Sequence, residues 1–292
     1  MTNRALVVGI DGSDSALHAA RWAAAEALAR SARLRLICCD TQSALVVPEI
    51  PGVVLPQSFF DAVREQGENW LRQAHDTAAA VAPGVPIETE FVPRSAPAAV
   101  LIAESRTASL IAVGSRGLGG FTGLLVGSVA ISVSAHASCS VAVIRGREQR
   151  TGDEPVVVGV DGSSESAVAL RYAFETASRE QVPLRAVHAW HSLSADEAWA
   201  RRRVDGGWAI VQDDEERLLA ESLAGWCERF PDVAVQRFVP LDKPARALLE
   251  HAESAQLVVV GARGRGAFTG LVLGSTSQHL VQRSPCPVAI AR

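Results

Sequence analysis

Two glycine-rich segments of this chain have the residue types and spacing of a phosphate-binding loop. Each reads Gly-x-x-Gly, nine further residues and then Gly-Ser, and the second copy lies 147 residues after the first. Glycines let a ligand approach the main chain, and the Gly-Ser pair opens a predicted helix whose free N–H groups and dipole attract a phosphate-sized anion. A simple turn is the alternative role, but two copies of so long a spacing favour phosphate binding. The segments contain Gly114, Gly117, Gly127 and Ser128, and Gly261, Gly264, Gly274 and Ser275.

Charged side chains accompany both loops. Arg116 and Arg263 lie inside them and could pair with the outer phosphates of a ligand. An aspartate follows the first apolar run of each half, where its carboxylate could accept hydrogen bonds from a ribose hydroxyl or an adenine amine. A polar turn before the next helix explains the aspartate locally as well, but its recurrence after 150 residues favours a ligand-binding role. The repeated triplets are Asp11, Gly12 and Ser13, and Asp161, Gly162 and Ser163.

Other chemistries lack the residues that they require. There is no Gly-Lys-Ser/Thr of a Walker A loop, and the dinucleotide fingerprint Gly-x-Gly-x-x-Gly is absent after the first strand. No Ser/His/Asp set recurs in corresponding places, so no catalytic residue is predicted. The histidines, among them His188, do not pair across the copies and are expected to be surface or core residues. The five cysteines have no metal-binding spacing, so no metal-binding side chain is predicted.

The composition limits the kinds of partner that the chain is expected to have. Hydrophobic residues make up 48% and charged residues 21% of the 292, a profile typical of a soluble globular protein. The net charge of −4 argues against a nucleic-acid partner. No apolar run reaches the roughly 18 residues that span a bilayer, and the first apolar run is too short for a signal peptide. We therefore expect a cytoplasmic protein with no membrane association.

Short apolar runs alternate with helical patterns in both halves, which predicts an α/β fold. Strict alternation implies two tandem open, doubly wound parallel sheets with helices on both faces, and ligand sites beyond the carboxyl ends of the strands. Domains are expected at 1–146 and 155–292, joined by a linker at 147–154. In the first half, helices are predicted at about 13–30, 61–81 and 98–105 and from Ser128 onward. The predicted strands there are Leu6–Ile10, Leu34–Cys39, Ile87–Val92, Leu110–Val113 and Ser140–Ile144.

The two glycine segments, each paired with its upstream aspartate, resemble the ATP-binding motif of the universal stress proteins. The resemblance covers nearly the whole chain twice and is closest to the tandem two-domain type of actinobacteria. It implies five strands per sheet in the order 3-2-1-4-5 and two ATP molecules per chain. It also implies backbone contacts to adenine from Cys39 and Ala189, and ribose beside Gly114 and Gly261. Phosphates would lie on Gly117, Gly127, Ser128 and Val129, and on Gly264, Gly274, Ser275 and Thr276, with Mg²⁺ held mainly by the phosphates.

The same resemblance implies a regulator of stress response and growth whose output depends on nucleotide occupancy. A homodimer and an unidentified regulatory protein partner are expected with it. Two alternatives stay open: a slow ATPase or nucleotidyl transferase with at most weak hydrolysis, and an interaction module with vestigial pockets. The stretches 40–60 and 190–208 differ between the copies and could overhang the pockets, so the two sites need not bind ATP equally.

Overall fold

The computed structural model describes residues 4–41, 56–118, 126–146, 152–190, 207–265 and 272–292, with the backbone alone at 207–210. These residues form two compact units, Met1–Arg145 and Gly146–Arg292, called the first and second domain below. The predicted linker 147–154 and the divergent stretches 40–60 and 190–208 lie largely outside the described residues. Within the described parts of the chain, no helix is both long and apolar enough to cross a membrane.

The first domain alternates strands and helices throughout, and its parallel strands lie in the order β3-β2-β1-β4-β5. Both the fold class and the strand order predicted from the sequence are confirmed. The elements are β1 Leu6–Ile10, α1 Asp14–Ala29, β2 Leu34–Cys39, α2 Gln57–Val81, β3 Ile87–Val92, α3 Pro97–Glu104, β4 Leu110–Gly114, α4 Ser128–His136 and β5 Ser140–Ile144.

The second domain repeats this arrangement, and its strand order β8-β7-β6-β9-β10 is the same order shifted by five. Its elements are β6 Val156–Gly159, α5 Ser164–Glu180, β7 Leu184–Val187, α6 Gly207–Arg229, β8 Val235–Phe238, α7 Pro244–Ala252, β9 Leu257–Gly261, α8 Ser275–Arg283 and β10 Val288–Ala291.

Burial follows the position of each strand in its sheet. The central strands β1 and β4 are almost wholly buried, because helices cover both faces of a parallel sheet. The outer strand β3 is largely exposed, and it carries Glu88 and Glu90. Arg35 of β2 reaches across to Glu90 at 2.6 Å and to Glu104 of α3 at 2.5 Å. Charged side chains on an outer strand discourage pairing with another chain.

Helix α2 begins four residues before the predicted start at about residue 61. Pro56 occupies its N-cap position with φ −66° and ψ 151°, and no side chain caps the helix. Proline is compatible with the beginning of a helix because its fixed φ suits that position and its missing N–H would be unpaired there anyway. The sequence prediction missed this start because a proline is equally compatible with a loop and with the beginning of a helix.

Candidate nucleotide-binding site

The aspartate and the glycine loop of the first domain meet because their strands are neighbours. Asp11 follows β1, the loop follows β4, and Leu6 of β1 pairs with Leu110 of β4. The backbone N–H of Leu118 donates a hydrogen bond to Asp11 Oδ2 at 3.1 Å. The strand order reverses between β1 and β4, and ligands of such sheets bind at this switch point.

The other carboxylate oxygen of Asp11 holds the turn into α1. Asp11 Oδ1 accepts hydrogen bonds from the Ser13 backbone N–H at 3.1 Å and from the Ser13 hydroxyl at 2.6 Å. The same hydroxyl accepts from the Ala16 N–H at 3.2 Å and so caps α1. Ser13 therefore positions Asp11 and the helix, and the half-buried carboxylate remains accessible beside the loop.

The second domain repeats this hydrogen-bond pattern. Asp161 accepts from the Ser163 N–H at 3.0 Å and hydroxyl at 2.6 Å, and from the Arg265 N–H at 3.0 Å. Ser163 caps α5 through the Ser166 N–H at 3.1 Å. Burial by itself would raise the pKa of Asp161, but the hydrogen bonds from Ser163 and Arg265 outweigh it and lower that pKa. Asp161 is therefore a carboxylate at neutral pH.

The loop glycines occupy positions where a side chain would not fit. A Cβ added to Gly117 would overlap Asp11 Oδ2, and one added to Gly264 would overlap Asp161 Oδ2. A Cβ on Gly114 would lie 2.7 Å from the backbone of Ser15. At these positions glycine is required for the close approach of the loop to the aspartate and to the start of the first helix.

An uncapped helix begins at the end of each loop. Gly127 is the N-cap of α4 and provides no side chain, and its own N–H donates to Ser115 O at 2.8 Å. The first N–H groups of a helix have no partner within it, so those of α4 face the region ahead of Ser128. Ser128 is exposed and Val129 half-exposed. Gly274 begins α8 in the same way, with its N–H bound to Ala262 O at 2.8 Å and with Ser275 exposed.

The arginines of the loops are exposed but not equivalent. Arg263 Nη2 lies 3.5 Å from Glu165 Oε1. In the first domain the residue that corresponds to Glu165 is Ser15, whose hydroxyl accepts a hydrogen bond from the Arg116 backbone N–H at 3.3 Å. Among the described residues there is no group of three His, Cys, Asp or Glu side chains that could hold a metal ion.

The ends of β2 and β7 carry the two residues expected to contact adenine. Cys39 and Ala189 are both half-buried at these strand ends. Burial raises the pKa of Cys39, and burial together with nearby carboxylates raises the pKa of Cys38 to about 12. Both thiols are therefore neutral at physiological pH, as expected for cysteines that pack rather than react.

Four residues near the sites were not identified from the sequence. Trp70 of α2 lies against Gly12, and the Arg265 side chain lies against Gly162. His188 bridges Val160 O and Glu215 in the second domain. Arg265 could have been noticed as the counterpart of Leu118 in the aligned loops. The other three lie after the second strand or in the following helix, where the two copies lose their alignment.

Comparisons with known proteins agree with this architecture. The model of the universal stress protein family matches residues 2–145 and again 154–292. A universal stress protein of Mycobacterium tuberculosis strain H37Rv is 39% identical over 98% of this chain and 96% of its own length. One of Mycolicibacterium smegmatis is 37% identical over 100% of this chain and 98% of its own. The crystal structure of a universal stress protein from Archaeoglobus fulgidus covers 100% of this chain and 99% of its own with a TM-score of 0.68 at 22% identity. The chain thus belongs to the universal stress protein family, with one copy of the family domain in each half.

Proposed function

We propose that this protein binds one ATP in each domain and acts as a stress-response regulator whose output depends on nucleotide occupancy. One observation carries the proposal: in both domains, the glycine loop donates a backbone hydrogen bond to the aspartate and leads to a helix with no side-chain cap. A carboxylate for the sugar or base and free N–H groups for the phosphates are thereby held at the same edge of the sheet.

The residues present fit ATP with its metal. Gly117 and Gly264 let the loop lie against the aspartate, and an open backbone surface is left at Gly127, where an added Cβ would have its nearest contact at 3.6 Å. Mg²⁺ would be held mainly by the phosphates, since the described side chains offer no metal-binding group of three. The ion would offset the phosphate charge, while Arg116 and Arg263 would contact the outer phosphates. The proposal includes a cytoplasmic location, a homodimer and a protein partner that recognises the loaded form.

Thermal unfolding with and without Mg-ATP tests the proposal. A ligand at a hundredfold excess over its Kd stabilises the folded state by about 2.7 kcal/mol, which raises the Tm of a domain of this size by roughly 5–10 °C. Mass spectrometry of the denatured protein would identify any nucleotide retained through purification. The absence of both a Tm shift with Mg-ATP and a retained nucleotide would rule out ATP binding.

A charge placed at the start of α4 tests the location of the site. A Cβ on Gly127 would have its nearest contact at 3.6 Å, and the backbone there has φ −75° and ψ 151°, so Gly127→Asp fits. Aspartate is a favourable N-cap, so the helix is retained while the carboxylate repels phosphate. Calorimetry should show the ATP stoichiometry falling from two per chain to one. Gly274→Asp should do the same for the second domain.

The matched control is Gly127→Ala, which adds a Cβ but neither a charge nor an oxygen that could occupy the N–H groups left for phosphate. Its ATP stoichiometry should remain two per chain. If Gly127→Asp also left the stoichiometry at two, the phosphates would not lie at the start of α4.

A further inference from the structure

The two sites differ in the side chain that covers the glycine after the aspartate. Gly12 has φ +84° and Gly162 has φ +75°, and neither carries a side chain of its own. A Cβ built on Gly12 would overlap the indole of Trp70, whereas one built on Gly162 would overlap the guanidinium of Arg265. The same place is therefore taken by an aromatic ring in the first domain and by a planar cation in the second.

This difference arises from two neighbouring positions. Where α2 presents Trp70, α6 presents the smaller Leu218, whose Cδ2 is 3.5 Å from the Cβ built on Gly162. The space left open there holds the Arg265 side chain, which comes from the glycine loop. The first domain has Leu118 at that loop position, 59% exposed. The turn after the aspartate thus packs against an indole from the helix in the first domain and against a guanidinium from the loop in the second.

Net charge does not favour the first site. In the second domain, Arg263 and Arg265 are matched by Asp161 and Glu165, and Arg263 lies 3.5 Å from Glu165. In the first domain, Arg116 is outnumbered by Asp11 and by Asp14 in the first turn of α1. The feature that the first site adds for a ligand is therefore the aromatic surface of Trp70.

We infer that Trp70 is a ligand-contacting residue of the first site, where its indole stacks against the ring of the bound nucleotide. The inference rests on the proposed function. The indole lies against the Gly12 backbone, next to Asp11, and it is only half-buried, so part of its surface is accessible to a ligand. Stacking of a base on an aromatic side chain strengthens binding by about tenfold or more. The indole therefore raises the affinity of the first site for ATP, through a ring contact that the second site does not make with an aromatic side chain.

The test measures ATP and inorganic tripolyphosphate at one site at a time. In the Gly274→Asp background, which leaves the first site, Trp70→Leu should weaken ATP binding about tenfold. Affinity for tripolyphosphate, which has no ring, should not change. Trp70→Phe retains a ring and should keep the ATP affinity within about threefold. Circular dichroism verifies that each variant is folded.

Introducing a tryptophan at the second site tests whether the indole increases ATP affinity there. In the Gly127→Asp background, the double substitution Leu218→Trp and Arg265→Leu gives the second site the side chains of the first. Its ATP affinity should rise about fivefold or more, with no rise for tripolyphosphate.

The outcomes separate this inference from the proposed function. If neither single-site background binds ATP although the unsubstituted chain does, the sites are misplaced. If the unsubstituted chain binds no ATP, the proposed function itself fails. If ATP binds in both backgrounds but Trp70→Leu leaves its affinity unchanged, or lowers tripolyphosphate affinity equally, Trp70 does not contact the ring and the inference is overturned.

Discussion

The contact between buried His188 and half-buried Glu215 should stabilise the second domain near its site. His188 Nδ1 lies 2.7 Å from Val160 O, and Nε2 lies 2.6 Å from Glu215 Oε2. A carbonyl only accepts, so Nδ1 donates to Val160 O, and Nε2 is the nitrogen that contacts the Glu215 carboxylate. The pair connects the ends of β6 and β7 to α6, directly before Asp161. In the first domain Cys38 occupies the place of His188.

The expected cost of breaking the pair follows from burial. The His188 side chain is 5% exposed, so His188→Ala leaves the Val160 carbonyl unpaired and a small cavity, at a cost of about 3 kcal/mol. The Glu215 side chain is 25% exposed, so Glu215→Ala mainly removes the partner of a buried ring nitrogen, at about 1.5 kcal/mol. Once His188 is absent, water can solvate Glu215. The double variant should therefore cost about as much as His188→Ala alone, a coupling of about 1.5 kcal/mol.

Native-state hydrogen exchange is the suitable assay, because it reports the second domain separately from the first. Opening free energies of amides in β6 and β7 would be compared for the unsubstituted chain, both single variants and the double variant. Amides of β1 and β2 serve as the internal control and should not change. Additive effects, with a coupling below about 0.5 kcal/mol, would refute the reasoning.

Three further predictions concern single residues. Because the pKa of Asp161 is lowered in the folded state, its contribution to stability is present above the unfolded-state pKa of about 4 and is lost as pH falls through the folded-state pKa. In an acid titration, the free energy of unfolding of Asp161→Asn should therefore fall less than that of the unsubstituted chain. Cys38, with a pKa near 12, should resist iodoacetamide at pH 8 in the folded chain, as mass spectrometry of labelled peptides would show. Gly117→Ala should cost about 1–3 kcal/mol of stability by overlapping Asp11, whereas Gly127→Ala, with 3.6 Å of room, should cost far less in urea unfolding.

The strands could be predicted because their signals are local and repeated, whereas their order was implied by the resemblance to the universal stress proteins. Each strand is a short apolar run bounded by polar or turn residues, and β1 recurs almost unchanged as β6. Helix starts at Ser13 and Ser163 were recognisable from the capping residue itself. The start of α2 was not recognisable, because Pro56 is equally compatible with a loop and with the beginning of a helix.

The backbone of the site was more predictable than its side chains. The glycines and Asp11 recur at matching positions in both halves, so they are visible in the sequence even though the Leu118–Asp11 hydrogen bond joins residues 107 apart. Trp70 has no tryptophan counterpart in the second half, because its helix lies in the part of the chain where the offset between the copies changes from 150 to 147. His188 was set aside because no histidine matches it in the other half. Its partner Glu215 is 27 residues away, beyond the stretch where alignment fails.

Some positions of the two sites keep the same residue and others differ, depending on whether the backbone or the side chain makes the contact. The hydrogen bonds from the glycine loops to Asp11 and Asp161 come from the backbone N–H groups of Leu118 and Arg265, which almost any residue can supply, so the side chains there are free to differ. Gly117 and its counterpart have no such freedom, because a Cβ would strike the aspartate. The two sites therefore share the backbone contacts and differ in the side chains around them. On the proposed function and the inference drawn for Trp70, we expect two sites that share an anion cradle but differ in ring contact to have unequal ATP affinities, so a singly loaded chain would be the main species at intermediate ATP concentrations.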